Sequence, residues 1–440
     1  MSHQPPTPRM LAALALAALA AVVACAVLGA CGSRSESATR LELWALGREG
    51  EVVAQMMPDF ELRNPGVHVH VQQIPWSAAH EKLLTAYVGD AMPDVFQVGN
   101  TWIPEFAALG ALESLDERIH AAGDALREDS FPGILDTNVI DGKTYAVPWY
   151  VDTRLLFYRS DLLAAAGSTG SPKSWESWRG AMERAKQKAA PGAFAVLLTI
   201  QEWQPLVILA MQQNATLLRD GDLYGDFQSP AFRKAFEFYI DLFRAGLAPL
   251  AGQAEVANLY QEFARGTFVF YVSGPWNVGE FSARLPPDLA GRWTTAPMPS
   301  PAGDGVGVSL AGGASLAVFR GSSKKDAAWS LVRYLSEPAQ QSQLYKMTGD
   351  LPARRRAWET DGGPGSDPRV AAFRAQLENV RSTPKIPEWE RIAQQITRYT
   401  EAVLRRQMTT DEALAALDRN VDAMLAKRRW MKQRESGGES

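Results

Sequence analysis

The feature that most constrains this chain is an alternation of strand and helix patterns between residues 41 and 98. Residues 41–44 and 67–71 alternate apolar and polar side chains, which is the period of a half-buried strand. Between them, apolar residues at 52–60 recur at helical spacing. A second helical stretch at 82–88 precedes a third strand at 94–98. This order predicts an α/β fold built on a mostly parallel sheet.

The first 31 residues carry an export signal. Arg9 precedes an almost unbroken apolar run from Met10 to Leu28, and small residues follow, an order typical of secretory signal peptides. The closing Leu28-Gly29-Ala30-Cys31 resembles the lipobox of bacterial lipoproteins. That resemblance implies a signal peptide at residues 1–30, cleaved after Ala30, a diacylglyceryl thioether on Cys31, and a tether at residues 31–39.

Two alternatives to the lipoprotein remain for this segment. One is an ordinary signal peptide, and the other is a transmembrane helix starting at Met10, because the run is long enough to span a bilayer. The run is mostly Ala, and no strongly basic stop follows it. We therefore favour the lipoprotein.

The remaining chain predicts further strands and an increasingly helical end. The predicted strands are at 144–151, 193–199, 266–272 and 315–319, and the helices at 231–245, 324–335, 369–380, 392–407 and 411–427. Ser323 is the expected N-cap of the helix at 324–335, and Thr409-Thr410 marks the start of the last helix. The polar residues 428–440 are expected to fray. About 400 mature residues exceed a comfortable single core, so two domains are expected.

Charge and cysteine content exclude several classes of protein. The formal net charge is −4 and becomes −5 without residues 1–30, which hold one Arg and no acidic residue. This balance gives no basic surface for nucleic acid. Cys25 lies in the leader, so the mature chain keeps Cys31 alone. An internal disulfide and a cysteine-based metal site are therefore excluded.

Six short motifs occur in a fixed order along the chain. They are MPDVF at 92–96, GALESLD at 110–116, LLFYRSDLL at 155–163, SPKSW at 171–175, GPW at 274–276 and AWSLVRYL at 328–335. In this order they resemble the extracellular solute-binding proteins (family 1) of ABC importers, in the carbohydrate-binding, maltose-binding-protein-like class. The likeness covers residues 41 to about 427. Met92 departs from it, because the family often has a glycine there.

The resemblance implies a periplasmic-binding-protein-like α/β fold of two α/β lobes with a ligand cleft and a multi-strand hinge. It places the N-terminal lobe at 40–151 plus 314–368, the C-terminal lobe at 152–313 plus 369–432, and a polar tail at 433–440. Hinge strands are expected near 148–153 and 311–316, where Gly312-Gly313 gives the backbone freedom to change direction. Closure of the two lobes around a ligand is the motion that such a hinge supports.

A sugar presents apolar C–H faces and a rim of hydroxyls, so its site needs flat aromatic rings beside carboxylates, amides or Arg. Trp276 follows the strand predicted at 266–272 and matches the position where the family stacks a sugar. Glu202 and Trp203 follow the strand predicted at 193–199 and match a family pair that binds hydroxyls and lines the cleft. A core position for Trp276 and a first-turn helical position for Glu202 remain open.

Asp152 matches a cleft carboxylate just past the hinge, although a structural hinge role fits it nearly as well. Asn100, Thr101 and Trp102 follow the third strand, where the family presents polar ligand-binding groups. The Asn and Thr replace a charged pair of maltose-binding protein, so the hydrogen-bond pattern is expected to differ. The remaining candidates are Trp44, Arg48, Glu51, Trp149, Gly313 and Arg354, the last of which is also compatible with a solvated run of three arginines at 354–356.

Other functions fit the sequence less well. A glycoside hydrolase needs two carboxylates, which Asp152, Glu202 and Glu51 supply, but members of the family bind without turnover. His68 and His70 share one strand face without an HExxH motif or a cysteine partner, so a surface pair is favoured over a zinc site. No GxxxxGK[ST] phosphate loop occurs, so an ATPase and a permease must be separate subunits.

The sequence therefore predicts an exported, monomeric receptor of the cell envelope or periplasm, anchored to a membrane through lipid on Cys31. It is expected to bind a neutral mono- or oligosaccharide and deliver it to an ABC importer, without catalysis and without a cofactor, metal or nucleic acid. A polyol or glycerophosphodiester is the alternative ligand. A sensor would use the same cleft.

Overall fold

The computed structural model describes residues 38–123, 125–168, 170–251 and 258–437. The predicted export signal and the predicted lipid attachment at Cys31 lie outside these residues. The strands are β1 (Thr39–Leu46), β2 (Val67–Ile74), β3 (Val95–Gly99), β4 (Val139–Ile140), β5 (Lys143–Thr144), β6 (Val147–Asp152), β7 (Leu155–Arg159), β8 (Val196–Leu197), β9 (Leu218–Arg219), β10 (Tyr224–Gly225), β11 (Phe270–Ser273), β12 (Trp293–Ala296), β13 (Ser309–Leu310), β14 (Gly312–Val318), β15 (Leu351–Pro352) and β16 (Val380–Arg381).

The α-helices carry most of the remaining chain. They are α1 (Gly47–Val53), α2 (Met57–Arg63), α3 (Trp76–Val88), α4 (Ile103–Ala108), α5 (Asp116–Ala121), α6 (Ala125–Glu128), α7 (Pro132–Asp136), α8 (Ser160–Ala165), α9 (Trp175–Lys188), α10 (Gln204–Gln212), α11 (Pro230–Arg244), α12 (Leu259–Arg265), α13 (Trp276–Arg284), α14 (Lys325–Leu335), α15 (Pro338–Thr348), α16 (Pro368–Leu377), α17 (Trp389–Leu404), α18 (Thr410–Met424) and α19 (Ala426–Gly437). In the described part of the chain, none of them is both long and apolar enough to cross a membrane.

Two larger sheets organise these elements. The first has the strand order β15-β6-β14-β3-β1-β2, and the second has the order β12-β7-β11-β8. We call the part built on the first sheet the N-terminal lobe and the part built on the second sheet the C-terminal lobe. Strand β1 pairs in parallel with β2 and β3, as predicted, but β14, β6 and β15 are antiparallel to their neighbours. The first sheet is therefore mixed rather than mostly parallel, because strands from later in the chain return across it.

Side chains alternate between the two faces of each sheet, so each sheet is covered on both sides. In β3, Val95 packs on one face with Leu43, while Phe96 and Val98 join a separate cluster with Phe106. In β7, Leu156 and Tyr158 face one cluster, whereas Leu155 and Phe157 face another. Two layers of helices around each sheet supply the two cores that a chain of this length needs.

The chain crosses between the sheets close to Asp152. Strand β6 of the first sheet ends at Asp152, and β7 of the second sheet begins three residues later. The returning strand β14 pairs Gly312 with Asp152 and Gly313 with Val151. Gly313 has a φ of +121°, and a Cβ there would lie 2.3 Å from the carbonyl oxygen of Tyr150. The close approach of two hinge strands therefore requires glycine at this position.

Several element boundaries differ from the prediction. The predicted N-cap Ser323 is wrong, because α14 begins at Lys325 with Lys324 at the cap position and no side-chain cap. The preceding Ser322 hydroxyl accepts from the Lys324 N–H at 3.0 Å and donates to Asp94. The strand predicted at 193–199 has only two residues in β8. The start signal at Thr409 is confirmed by a capping box with Glu412.

The fraying predicted from residue 428 is also wrong, because α19 runs through to Gly437. Arg428 forms an ion pair with Glu388 at 2.9 Å. Arg429 donates to the carbonyl oxygens of Leu223 and Asp422 at 2.8 Å. These contacts with distant parts of the C-terminal lobe hold a polar helix that its own sequence would leave marginal.

Candidate functional site

The turn from β1 into α1 brings a buried carboxyl group to the edge of the first sheet. Glu49 is 5% exposed. Burial raises the pKa of Glu49, and hydrogen bonds from Tyr150, from its own backbone and from Trp76 and Gln97 oppose that rise. The neighbouring candidates Arg48 and Glu51 are exposed, where Arg48 donates to the Met347 carbonyl and Glu51 accepts from Gln73 at 3.0 Å. Sequence analysis chose Arg48 and Glu51 and missed Glu49, the buried member of this turn.

Asp350 and Tyr150 lie close enough to Glu49 for its charge to act on both of them. Burial, and then the negative charge of Glu49, raise the pKa of Asp350 to about 7. Burial first, and then the charges of Glu49, Asp350 and Asp152, raise the pKa of Tyr150 well above its ordinary value. The Gln97 side chain donates to the Tyr150 hydroxyl at 3.3 Å. These groups form a polar floor next to the hinge that can both donate and accept hydrogen bonds.

Asp152 lies at the point where the chain crosses between the lobes. Arg154 Nη1 donates to both oxygens of Asp152 at 3.0 Å. Burial raises the pKa of Asp152, and Arg154 lowers it by charge and hydrogen bonding. The Arg154 guanidinium carbon also lies 4.4 Å from the centroid of the Trp276 ring. Arg154 therefore links the hinge carboxylate to the best aromatic candidate.

Trp276 is the first residue of α13, directly after β11, and 39% of it is exposed. Its ring lies against Gly274, where a Cβ would come within 2.0 Å of the ring. A side chain at position 274 would force the ring away, so the glycine of the GPW motif sets the position of the indole. The exposed part of the ring, beside a cation and a carboxylate, suits the C–H face of a sugar.

Glu202 and Trp203 lie between β8 and α10, and both are partly exposed. Trp203 packs edge-to-face on Trp389 with the ring centroids 5.3 Å apart. Burial is the largest cause of the raised pKa of Tyr271, the negative charge of Glu202 adds to it, and Arg154 opposes it. The charges of Glu202 and Arg154 therefore act on the same phenol, so Glu202 belongs to the electrostatic surroundings of the Arg154–Trp276 pair.

The residues after β3 form a short 3-10 turn, Asn100–Trp102. The Asn100 Oδ1 accepts from Ser315 at 2.9 Å, and its buried Nδ2 has no protein partner among the described residues. Trp102 packs against Trp76 with the ring centroids 5.7 Å apart. Thr101 hydrogen-bonds to Glu390, whose pKa is raised mainly by burial. Because Glu390 belongs to α17 of the C-terminal lobe, this contact joins the two lobes.

Trp76 is an exposed aromatic residue that sequence analysis missed. It begins α3 directly after β2 and Pro75, but the strand predicted there ended at residue 71, so the sequence did not place Trp76 at a strand end. Beyond Trp102 lies His80, whose Nε2 is 2.7 Å from Glu105. This hydrogen bond is the largest cause of the raised pKa of His80. No sequence signal marked Asp350 either, because it precedes a strand of only two residues.

Four predicted site residues have other roles. Trp149 is 0% exposed inside the N-terminal core, so its proposed ligand contact is wrong. The predicted ligand contact of Arg354 is also wrong, because this side chain is buried, pairs with Asp129 at 2.8 Å and donates to two backbone carbonyls. Gly313 shapes the hinge backbone and offers no side chain. Trp44 is partly buried against the same two apolar clusters as Trp102, with Lys82 Nζ 5.0 Å from its ring centroid.

The described residues contain no group of three or more His, Cys, Asp or Glu side chains arranged to hold a metal ion. The polar groups that do converge are the floor of Glu49, Tyr150, Asp152 and Asp350, with Trp276 and Glu202 on the C-terminal side. Carboxylates with raised pKa values and an exposed indole can bind hydroxyls and an apolar ring face together.

The model of the family described as bacterial extracellular solute-binding protein matches residues 44–342. The diacetylchitobiose binding protein DasA of Streptomyces coelicolor is 27% identical over 366 residues, which cover 82% of this chain and 83% of that protein. Among solved structures, the sugar-binding protein MalE from the phytopathogen Xanthomonas citri is 47% identical with a TM-score of 0.86, covering 90% of this chain and 100% of that one.

A second solved structure is the GacH receptor of Streptomyces glaucescens GLA.O, determined unliganded and with acarbose. It is 26% identical with a TM-score of 0.75, over 88% of this chain and 99% of that one. Together with the two mixed sheets, these likenesses confirm the fold class that the sequence predicted: two α/β lobes with a cleft and a multi-strand hinge.

Proposed function

Because this chain belongs to the family of bacterial extracellular solute-binding proteins, we propose that it is the carbohydrate receptor of an ABC importer. It binds a neutral mono- or oligosaccharide between its lobes and delivers it to permease subunits that a separate ATPase drives. Its relatives support this ligand class, since they are a sugar-binding protein, a diacetylchitobiose binding protein and a receptor whose structure was determined with acarbose. These relatives are binding proteins and a receptor, and we propose that this chain likewise binds without turnover.

The observation that carries the proposal is the environment of Trp276. Its partly exposed indole lies beside Arg154, which in turn holds the hinge carboxylate Asp152. An apolar platform next to charged hydrogen-bonding groups is the arrangement that a pyranose requires. Since the buried carboxyl groups of Glu49 and Asp350 belong to the N-terminal lobe and Trp276 follows β11 of the C-terminal lobe, ligand contacts would draw on both lobes.

Hinge closure provides the binding mechanism. The crossing after Asp152 and the return at Gly312 and Gly313 give two strands about which the lobes can rotate. A ligand that touches both lobes binds the closed form better and shifts the population toward it. We propose lobe boundaries at 40–151 plus 314–368 and at 152–313 plus 369–432.

The export signal supports a location at the cell envelope. We propose that Cys31 carries the lipid that anchors the protein, that residues 31–39 form the tether, and that residues 433–440 are a polar segment whose first part belongs to α19. A lipid anchor keeps a monomeric receptor within reach of its permease. Two or more acyl chains would make that attachment durable.

A thermal-shift screen of mono- and oligosaccharides against the delipidated protein tests the proposal. A ligand at a hundred times its dissociation constant adds about 2.7 kcal/mol to the stability. Polyols and glycerophosphodiesters in the same plate distinguish the alternative ligand class. A shift with these solutes and none with sugars would contradict the proposal, as would release of product from a bound oligosaccharide.

A further inference from the structure

Two histidines lie together on the edge strand of the first sheet, outside the proposed sugar site. Strand β2 is the last strand of the order β15-β6-β14-β3-β1-β2, and His68 and His70 both point to solvent from it. Their side chains are 63% and 53% exposed. Residues two apart on a strand share a face and lie roughly 6.6 Å apart at their Cα atoms. Both rings are therefore available on one open surface.

Each ring is held by a carboxylate through the same nitrogen. His68 Nδ1 lies 3.0 Å from Glu61, at the end of α2, and His70 Nδ1 lies 2.6 Å from Glu42 on the adjacent strand β1. An ionised carboxylate has no hydrogen to donate, so Nδ1 must carry the proton in both rings. In a neutral imidazole this leaves the lone pair on Nε2, and neither Nε2 takes part in these bonds.

A carboxylate on the far nitrogen is the usual outer partner of a metal-binding histidine, because it fixes the tautomer and makes the ring more basic. The sequence alone favoured an ordinary surface pair, since it showed no third ligand. The structure shows what the sequence did not, namely that Glu61 and Glu42 are the outer carboxylate partners of the two rings. Arg40, the β1 partner of His68, pairs with Glu42 at 2.9 Å, so Arg40, Glu42 and Glu61 together contribute one positive and two negative charges beside the rings.

We propose that His68 and His70 form a two-histidine binding site for a borderline divalent cation such as Zn²⁺ or Cu²⁺, with both rings bound through Nε2. Imidazole nitrogen suits these ions, and the metal–nitrogen distance of about 2.0–2.1 Å requires the two Nε2 atoms to approach to roughly 3.3 Å. Water fills the remaining positions, because no third histidine or acidic group converges there among the described residues. The site is separate from the sugar cleft.

Zinc binding to the untagged mature chain with Cys31→Ser tests this site, measured by competition with a chromophoric zinc indicator. We expect one saturable equivalent, and at least a tenfold weaker affinity in His68→Gln and in His70→Gln. Glu61→Gln keeps both imidazoles but weakens the outer partner, so it should weaken binding about tenfold. His120→Gln is the matched control, because His120 is an exposed histidine on α5 that has no second histidine two residues away in the sequence.

Electron paramagnetic resonance of the Cu²⁺-loaded protein provides a readout independent of affinity. Two imidazole nitrogens should split the copper signal in the wild type and one in either single variant. Unchanged zinc affinity in the double variant His68→Gln/His70→Gln would overturn the proposal, as would a copper spectrum with a single imidazole in the wild type. Sugar binding is measured on the same samples and should not change, so this result stands apart from the proposed transport function.

Discussion

Replacement of Trp276 by Ala is the most direct test of the sugar site. The indole lies at the start of α13, rests against Gly274 and carries Arg154 above its ring at 4.4 Å. Truncation removes the exposed platform but leaves Arg154 paired with Asp152 through two hydrogen bonds. The polar half of the site is therefore retained, and the loss reports mainly on stacking.

The exposed area of the ring sets the magnitude. With 39% of the residue exposed and a tryptophan surface of about 250 Å², roughly 100 Å² is available. A sugar ring covering about half of this area buries roughly 50 Å² of indole and a similar area of its own. At about 25 cal/mol per Å² this amounts to about 2.5 kcal/mol. We therefore expect binding to weaken between about tenfold, or 1.4 kcal/mol, and about seventyfold.

Isothermal titration calorimetry with the sugar that gives the largest thermal shift measures this change. Trp430→Ala is the matched control, because Trp430 is 54% exposed and also has an arginine, Arg434, over its ring at 4.7 Å, but lies on α19. Its affinity should equal that of the wild type. If Trp276→Ala retains the wild-type circular dichroism spectrum and binds within twofold of wild type, the stacking assignment is refuted.

Four further outcomes are expected. Arg354→Ala leaves the buried carboxylate of Asp129 unpaired and should cost about 3–5 kcal/mol in urea denaturation without changing sugar affinity; a large affinity loss in folded protein would restore Arg354 to the site. Asp350 has a folded pKa of about 7 against an ordinary 3.8, so its protonated form stabilises the fold, and this contribution falls as pH rises from about 4 through about 7. Asp350→Asn should therefore flatten the fall of the calorimetric Tm over this range. An unchanged pH profile of Tm in this variant would contradict the raised pKa of Asp350. His80 has a raised folded pKa, so its contribution to stability is complete below the ordinary histidine range and is lost as pH rises through the raised value. His80→Gln should therefore lower Tm more at pH 5.5 than at pH 8.5. Equal losses at the two pH values would contradict the ion pair of His80 with Glu105. Cys31→Ser should abolish labelling by radioactive fatty acid and release the protein from the membrane fraction; retained label would show that the lipid lies elsewhere.

Much of the fold follows from local pattern. The alternation in β1 and β2 and the helical spacing that follows predicted parallel strands, which β1 forms with β2 and β3, and Thr409 predicted the start of α18. Such signals succeed because the period of apolar residues and the capping group act within a few residues of the backbone they direct. The same locality explains the errors at Ser323 and in α19, where contacts from distant segments decided the boundary.

The site was only partly predictable for a related reason. Trp276, Glu202 and Asp152 stand at strand ends, and that position, together with the family likeness, was visible in the sequence. Glu49 and Asp350 are about three hundred residues apart along the chain, and their interaction depends on how α15, which ends just before Asp350, packs against α1. Arg354 and Trp149 show the opposite error, since both are residue types that suit a sugar but are buried by packing.

The sequence by itself determined the class of this protein: a chain of two α/β lobes with aromatic and acidic residues at strand ends, for which the first 30 residues predict export. Periodicity, the export signal and ordered motifs carry that information because each is written in neighbouring residues. The tertiary structure alone decided which carboxyl groups share the polar floor, which tryptophans remain exposed, and that two histidines on an edge strand are each oriented by a carboxylate. Burial and mutual distance set the pKa values and accessibility of these groups, and both arise only when distant segments pack together.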